Sequence, residues 1–341
     1  MRTGAGAWLG ASVVALGLGV AAGVGCGRTP VWLPCDGLET NENVPALSCD
    51  HPACATATSL HLEIGADNVL IVQDRSCSMA ELIDGRNKWS RAVEAIVGVL
   101  TDPRSATVRW GLSLFPDGDN DGVQGPIIVP VAAGQSGTIA ELLTSALDRD
   151  DPNHPQQPGE GCFTNLQAAL SQAAGPRVFE GLDGSSHLLL ITDGFAGQDA
   201  GEVASSPVGI LAELYEEGTP TFVVGFGERV NPTMLNALAE AGGVPASAST
   251  GYYEAGLEDL GGALLEVVQG LRCRHRIDLP AEDVSRLLVR WSDDTFVPAA
   301  PDGGDGWRYD VELGALVFSG WACEQLLVGD VGGIELDLDC G

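Results

Sequence analysis

The sequence is nearly without lysine. Lys88 is the single one among 341 residues, and it follows Asn87 rather than a glycine, so a phosphate loop of the Walker type is excluded. Arginine supplies every other basic charge, yet Lys and Arg together reach only 17 against 47 Asp and Glu, for a net charge of −30. Such a surface repels phosphate backbones, and nucleic acid is not an expected partner. No CxxC pair occurs, so a zinc site built on sulfur has no framework. The five histidines, His51, His61, His154, His187 and His275, show no HExxH or related spacing, and there is no GxSxG elbow. The common signatures of metallopeptidases and serine hydrolases are therefore missing.

What is present begins with an export signal. Arg2 gives a short basic start, an apolar run follows from Ala7 to Val24, and small residues lead to Cys26 in "AAGVGCGR". An uncleaved anchor is the competing reading, since about 18 apolar residues is the lower limit for a span. The stretch resembles a bacterial lipobox, which implies a lipid on Cys26. Gly23 stands where leucine is usual, which leaves ordinary cleavage nearby as the alternative. Nine cysteines are an odd number for an exported chain. With Cys26 lipidated, Cys35, Cys49, Cys54, Cys77, Cys162, Cys273, Cys323 and Cys340 make an even set, for which about 105 pairings exist.

Four segments follow from this reading: a signal over 1–25, a Cys-rich linker over 26–57, a main domain over 58–272 and a small module over 273–341. In the main domain, apolar strands alternate with helical spacing. Strands are expected at Val69–Gln73, Val108–Phe115, His187–Thr192 and Thr221–Phe226. Helices are expected at Met79–Leu100, Ile139–Leu147, Leu166–Ala174, Val208–Glu217, from Pro232 behind an Asn231 cap to Ala241, and after Glu254 to about Leu271. Strands this apolar need cover on both faces, so the fold class is α/β, a doubly wound, mostly parallel sheet flanked by helices. After Cys273 the short stretches "RLLVRW", "WRYDVELGALVFSG" and "GGIELDLDC" point to a disulfide-tied, β-rich module.

In doubly wound sheets ligands sit at the carboxyl ends of the strands. Asp74 ends the first strand in "VLIVQDRSCSMAE" and Asp193 ends a later one in "LLLITDGF", so both acids are expected at one rim. Ser76, Ser78 and Thr164, the last in "GCFTNLQAAL", add hydroxyls. An all-oxygen set of this kind suits a hard octahedral cation, Mg²⁺ or Mn²⁺.

These residues resemble the von Willebrand factor type A (VWA) family from about Leu60 to Arg272. The family's metal-ion-dependent adhesion site is written D-x-S-x-S, then a threonine, then an aspartate often followed by glycine. Asp74, Ser76, Ser78, Thr164, Asp193 and Gly194 fit each position in order. "TFVVGFGERVNPTMLNALAEAGG" is similar to exported bacterial members. The resemblance implies a non-enzymatic protein of the cell envelope, lipid-anchored, whose ion takes an Asp or Glu carboxylate from a partner protein. A structural envelope protein acting through its C-terminal module is the alternative. A metal-dependent hydrolase is a third reading, for which no general base is identifiable.

Two further expectations complete the reading. Asp117, Asp119 and Asp121 begin a D-x-D-x-D-G calcium loop, although Ile128 stands where the bidentate glutamate belongs. Cys77 lies between the two site serines and Cys162 two residues before Thr164. Shared coordination would draw their loops within disulfide reach, so a Cys77–Cys162 bond is expected, with Cys35, Cys49 or Cys54 as competing partners.

Overall fold

The computed structural model describes residues 59–116, 125–155, 165–193, 206–227, 230–246, 251–256, 258–277, 279–280, 283–311 and 314–338. The segment 1–58, and with it the signal and Cys26, lies outside them, as do Thr164, Cys162, Gly194 and the Asp117–Asp121 loop.

The central strand, Asp67–Asp74, is buried along its whole length. Its alternate residues serve two cores: Val69 and Ile71 enter one, Leu70 and Val72 the other. This is the period of two that a strand covered on both faces requires. The six-stranded sheet runs Val129–Ala132, Val108–Phe115, Asp67–Asp74, Ser185–Thr192, Thr221–Phe226, Tyr253–Ala255. Counted along the chain this is the doubly wound order 3-2-1-4-5-6. All pairs are parallel except the edge strand Val129–Ala132, which pairs antiparallel. Helices Lys88–Thr101, Ser136–Ser145 and Leu260–Cys273 cover the first face, and Leu166–Ala173, Pro207–Glu216 and Pro232–Ala241 the second. The expected α/β class, a mostly parallel sheet flanked by helices, is the one observed.

One helix starts later than its apolar spacing suggests. Helical structure was expected from Met79, but Cys77–Ala80 is a single 3₁₀ turn and a short hairpin follows, Leu82–Ile83 against Arg86–Asn87. Asp84 and Gly85 both have positive φ, 51° and 81°, the backbone of a type I′ turn. The helix begins at Lys88, where the Asn87 side chain accepts the Ser90 N–H at 2.8 Å. Trp89, fully buried, pins its first turn by donating Nε1–H to Ala146 O.

The C-terminal part is β-rich as expected, with one addition from far away in sequence. Ser59–Glu63 pairs antiparallel with Gly333–Leu338, which continues into Leu287–Trp291 and Phe296–Val297. A strand placed in the main domain by the expected boundary thus belongs to the small unit's sheet. A second sheet joins Arg274–Arg276, Ala315–Ser319 and Gly306–Asp310. A short helix, Trp321–Val328, follows Ala315–Ser319 in the chain and closes on Gly329 in the left-handed conformation. Cys273, last residue of the main domain's final helix, is disulfide-bonded to Cys323 in that helix, with α-carbons 5.2 Å apart. The core of the first face runs on without a break into Ile277, Val289, Leu326 and Leu336.

Candidate metal centre

Asp74 stands at the carboxyl end of the central strand and Asp193 directly follows Thr192, the last residue of the neighbouring strand. The chain turns sharply after Asp74: the Ser76 N–H donates to Asp74 Oδ1 at 2.8 Å and Met79 N–H closes the turn on Ser76 O at 2.9 Å. Met79, fully buried, anchors the turn from below. The two serine hydroxyls are thereby held side by side, Ser76 Oγ 2.9 Å from Ser78 Oγ, and the Ser78 hydroxyl donates to Asp193 Oδ1 at 3.0 Å. Asp74 Oδ2 accepts from the Thr192 hydroxyl at 2.6 Å. Four of the five expected ligand residues, Asp74, Ser76, Ser78 and Asp193, therefore meet at one rim; Thr164, the fifth, lies outside the described residues. Asn165, next to it, caps the helix Leu166–Ala173.

The spacing of these oxygens tests whether an ion fits. Around an octahedral Mg²⁺ with ligands at roughly 2.0–2.1 Å, neighbouring oxygens lie about 2.9 Å apart. The serine pair and the Ser78–Asp193 pair have this separation. Electrostatics agree with the geometry. Burial, and then the charge of Asp193, push the Asp74 carboxyl up to about 6, against the hydrogen bonds from Thr192 and Ser76 that favour its anion. Two buried carboxylates at one rim are short of positive charge, which a divalent cation would supply. The chemistry of the set is all oxygen, as a hard cation prefers.

Part of the missing charge comes from a residue to which the sequence reading gave no role. Lys88, 3% exposed, places Nζ 2.8 Å from Asp193 Oδ2 and 3.1 Å from Glu81 Oε2. Its backbone N–H also donates to Glu81 O. The sequence signal was there, since a single lysine is conspicuous, but its partner is 105 positions away.

Other expected sites fare differently. Cys77 is disulfide-bonded, with a partner outside the described residues. Among the described residues, no group of three or more His, Cys, Asp and Glu gathers as metal ligands; the ion set above is half hydroxyl. A cavity of about 540 Å³ opens at the opposite end of the sheet, lined by His61, Asp67, His187, Arg272, Arg274 and His275 among others. It does not touch the oxygen cluster, which needs no void larger than an ion.

No protein-family model matches the sequence, and no curated protein matches it. Solved structures do align. BatB from Bacteroides thetaiotaomicron is 16% identical, with a TM-score of 0.44, over 60% of this chain and 97% of its own. Proximal thread matrix protein 1 from the mussel byssus, with a zinc-occupied MIDAS motif, is 17% identical, with a TM-score of 0.42, over 62% of this chain and 49% of its own. Manganese-loaded TRAP from Plasmodium vivax is 15% identical, with a TM-score of 0.43, over 61% of this chain and 76% of its own.

Proposed function

We propose that this chain is a non-enzymatic, metal-dependent protein-binding protein of the VWA type, working in a bacterial cell envelope. Asp74, Ser76, Ser78, Thr164 and Asp193 hold one Mg²⁺ or Mn²⁺ ion, and a partner's Asp or Glu side chain completes its shell. The observation that carries the reading is the rim itself: two buried acids and two hydroxyls brought together by short contacts, in the order the family motif prescribes. Serine ligands are neutral, so an ion held this way keeps positive charge for an incoming anion.

Export and a lipid on Cys26 are part of the same proposal, supported by the basic start, the apolar run and the odd cysteine count. Calcium at Asp117, Asp119 and Asp121 remains a separate proposal resting on the loop's spacing alone. Among the described residues no helix is long and apolar enough to cross a membrane.

The test is affinity capture from a cell-envelope extract, with the intact mature chain as bait, in Mg²⁺ and again in chelator. Capture is expected in Mg²⁺, lost in chelator and lost in Asp193→Ala. Equal capture with chelator would overturn the adhesion mechanism. Removing the C-terminal module is not a usable control, because Ser59–Glu63 pairs with Gly333–Leu338 and Cys273 is bonded to Cys323.

A further inference from the structure

We infer that Lys88 is a built-in counter-cation of the ion site, one that neutralises Asp193 when no ion is bound and sets the affinity for the ion when one arrives. This inference rests on the metal reading above. The chain has one lysine, and it is spent at this position, almost wholly out of water. Burying an ammonium is costly unless its partners are close and well placed. Both partners of Nζ belong to the rim: Asp193, itself 2% exposed, and Glu81, which follows the turn that carries the two serines.

The Asp193 carboxylate is divided between two duties. Oδ1 faces Ser78 Oγ, on the side of the oxygen ring, while Oδ2 faces Lys88 Nζ. An ion bound to the ring takes Oδ1 without breaking the lysine pair. Lys88 therefore acts electrostatically: it withdraws negative charge from Oδ1 and repels the incoming dication. Both electrostatic effects weaken ion binding, and both leave a bound ion with more charge to offer an anionic partner.

A charge count shows why this matters. Among the groups that face the site oxygens or Lys88, Asp74, Asp193 and Glu81 bring three negative charges and Lys88 one positive, while the buried Arg75 guanidinium, next to Asp74 in the chain, donates to the Pro116 and Pro152 carbonyls. With a divalent ion the sum is zero. Without the lysine it would be −1, in a chain already at −30, and a partner carboxylate would approach against repulsion. Lys88 trades ion affinity for anion affinity.

The sign of one measurement separates this from a purely structural role. Lys88→Met keeps length and removes charge; Glu81→Gln removes a negative charge and leaves Lys88 wholly to Asp193. Titrating Mn²⁺ into each folded chain by calorimetry should give a Kd about tenfold or more tighter in Lys88→Met and severalfold weaker in Glu81→Gln. A lysine that only props up the fold would, when lost, loosen Asp193 and weaken the ion instead. Equal or weaker binding in Lys88→Met overturns the inference. Should that variant fail to fold, Glu81→Gln decides alone: its side chain is one-third exposed, and unchanged affinity there overturns the inference too. Absence of Mn²⁺ binding in every folded chain, wild type included, has a different signature: the metal reading falls, and this inference with it. The single lysine also gives a single side-chain ammonium signal in ¹⁵N-correlated NMR spectra, which should shift on adding a diamagnetic Mg²⁺ and stay put if Lys88 is remote from the ion.

Discussion

Asp67 and Asp74 stand at the two ends of the same buried strand, 6% and 0% exposed, and their surroundings differ in sign. At the lower end the Arg272 guanidinium donates to Asp67 Oδ2 at 2.8 Å and His187 Nε2 lies 3.6 Å from Oδ1. Burial alone would raise the Asp67 carboxyl, but His187 and Arg272 outweigh it and hold it below the usual carboxylate range. At the upper end Asp74 meets a backbone N–H, a hydroxyl and the like charge of Asp193, and is pushed up to about 6. The lower acid has its counter-ion built into the chain. At the upper end the one ammonium, Lys88, pairs with Asp193 and Glu81 while Asp74 accepts from Ser76 and Thr192, which is the condition of a site suited to a cation from outside.

The largest expected effect breaks the lower end. Asp67→Asn leaves the Arg272 guanidinium buried, 5% exposed, without its counter-charge and with neutral acceptors only, the Gly65 and Leu326 carbonyls among them. Stability should fall by about 4 kcal/mol in denaturant titration, while ion affinity at the upper rim stays within a factor of about two, as expected for well-separated sites.

Replacing both Cys273 and Cys323 by serine is expected to cost as much, about 4 kcal/mol for opening a loop of 50 residues. The same titration checks it. A loss confined to the small unit, with the main sheet's transition unmoved, would show that the continuous core does not couple the two.

A smaller effect depends on pH. His275, edge-on to Phe318 with Nε2 on the Arg272 carbonyl and the charges of Arg272 and Asp67 nearby, is lowered by burial to about 4 from 6.5. Between those values the unfolded chain holds the proton and the folded chain does not. The stability tied to neutral His275 is thus complete above about pH 6.5 and lost as the pH falls towards 4. Allowing for partial exposure of the ring, the loss should reach about 2 kcal/mol. His275→Gln, which cannot titrate, should lack this part of the acid limb when melting curves are compared across pH 4–7.

The smallest stability effect is expected where the functional effect is greatest. Asp74→Asn relieves the repulsion from Asp193 and keeps shape, so the ion-free protein should stay within about 1 kcal/mol of wild type or gain slightly. A loss as large as that of Asp67→Asn would show that the two ends are not different in kind.

Much of this contrast was legible in the sequence. Strands with residues buried on both faces announce themselves as apolar runs, so Val108–Phe115 and Thr221–Phe226 were found to the residue. The Asn231–Pro232 pair fixed the start of its helix because cap and first-turn chemistry are local. The site's acids and serines were legible because strand ends converge at one rim. The Leu82–Asn87 hairpin was passed over although Asp84–Gly85 is a turn signal, because Leu82 and Trp89 also suit a helical stripe. The pairing of Ser59–Glu63 with Gly333–Leu338 was not legible. Two short strands, one of them exposed along part of its length and the other almost wholly buried, carry no mark of their partner across 274 positions, as between His61 and Glu335. Lys88 stood out by composition, but only the fold brings Asp193 to it.

The most direct test is a calorimetric titration of Mn²⁺ into the wild-type chain and into Asp74→Asn, with circular dichroism confirming that both are folded. One ion per wild-type chain is predicted, with binding weakened about a hundredfold or more in Asp74→Asn. Undiminished binding in Asp74→Asn would contradict a metal centre built on the upper end of the central strand.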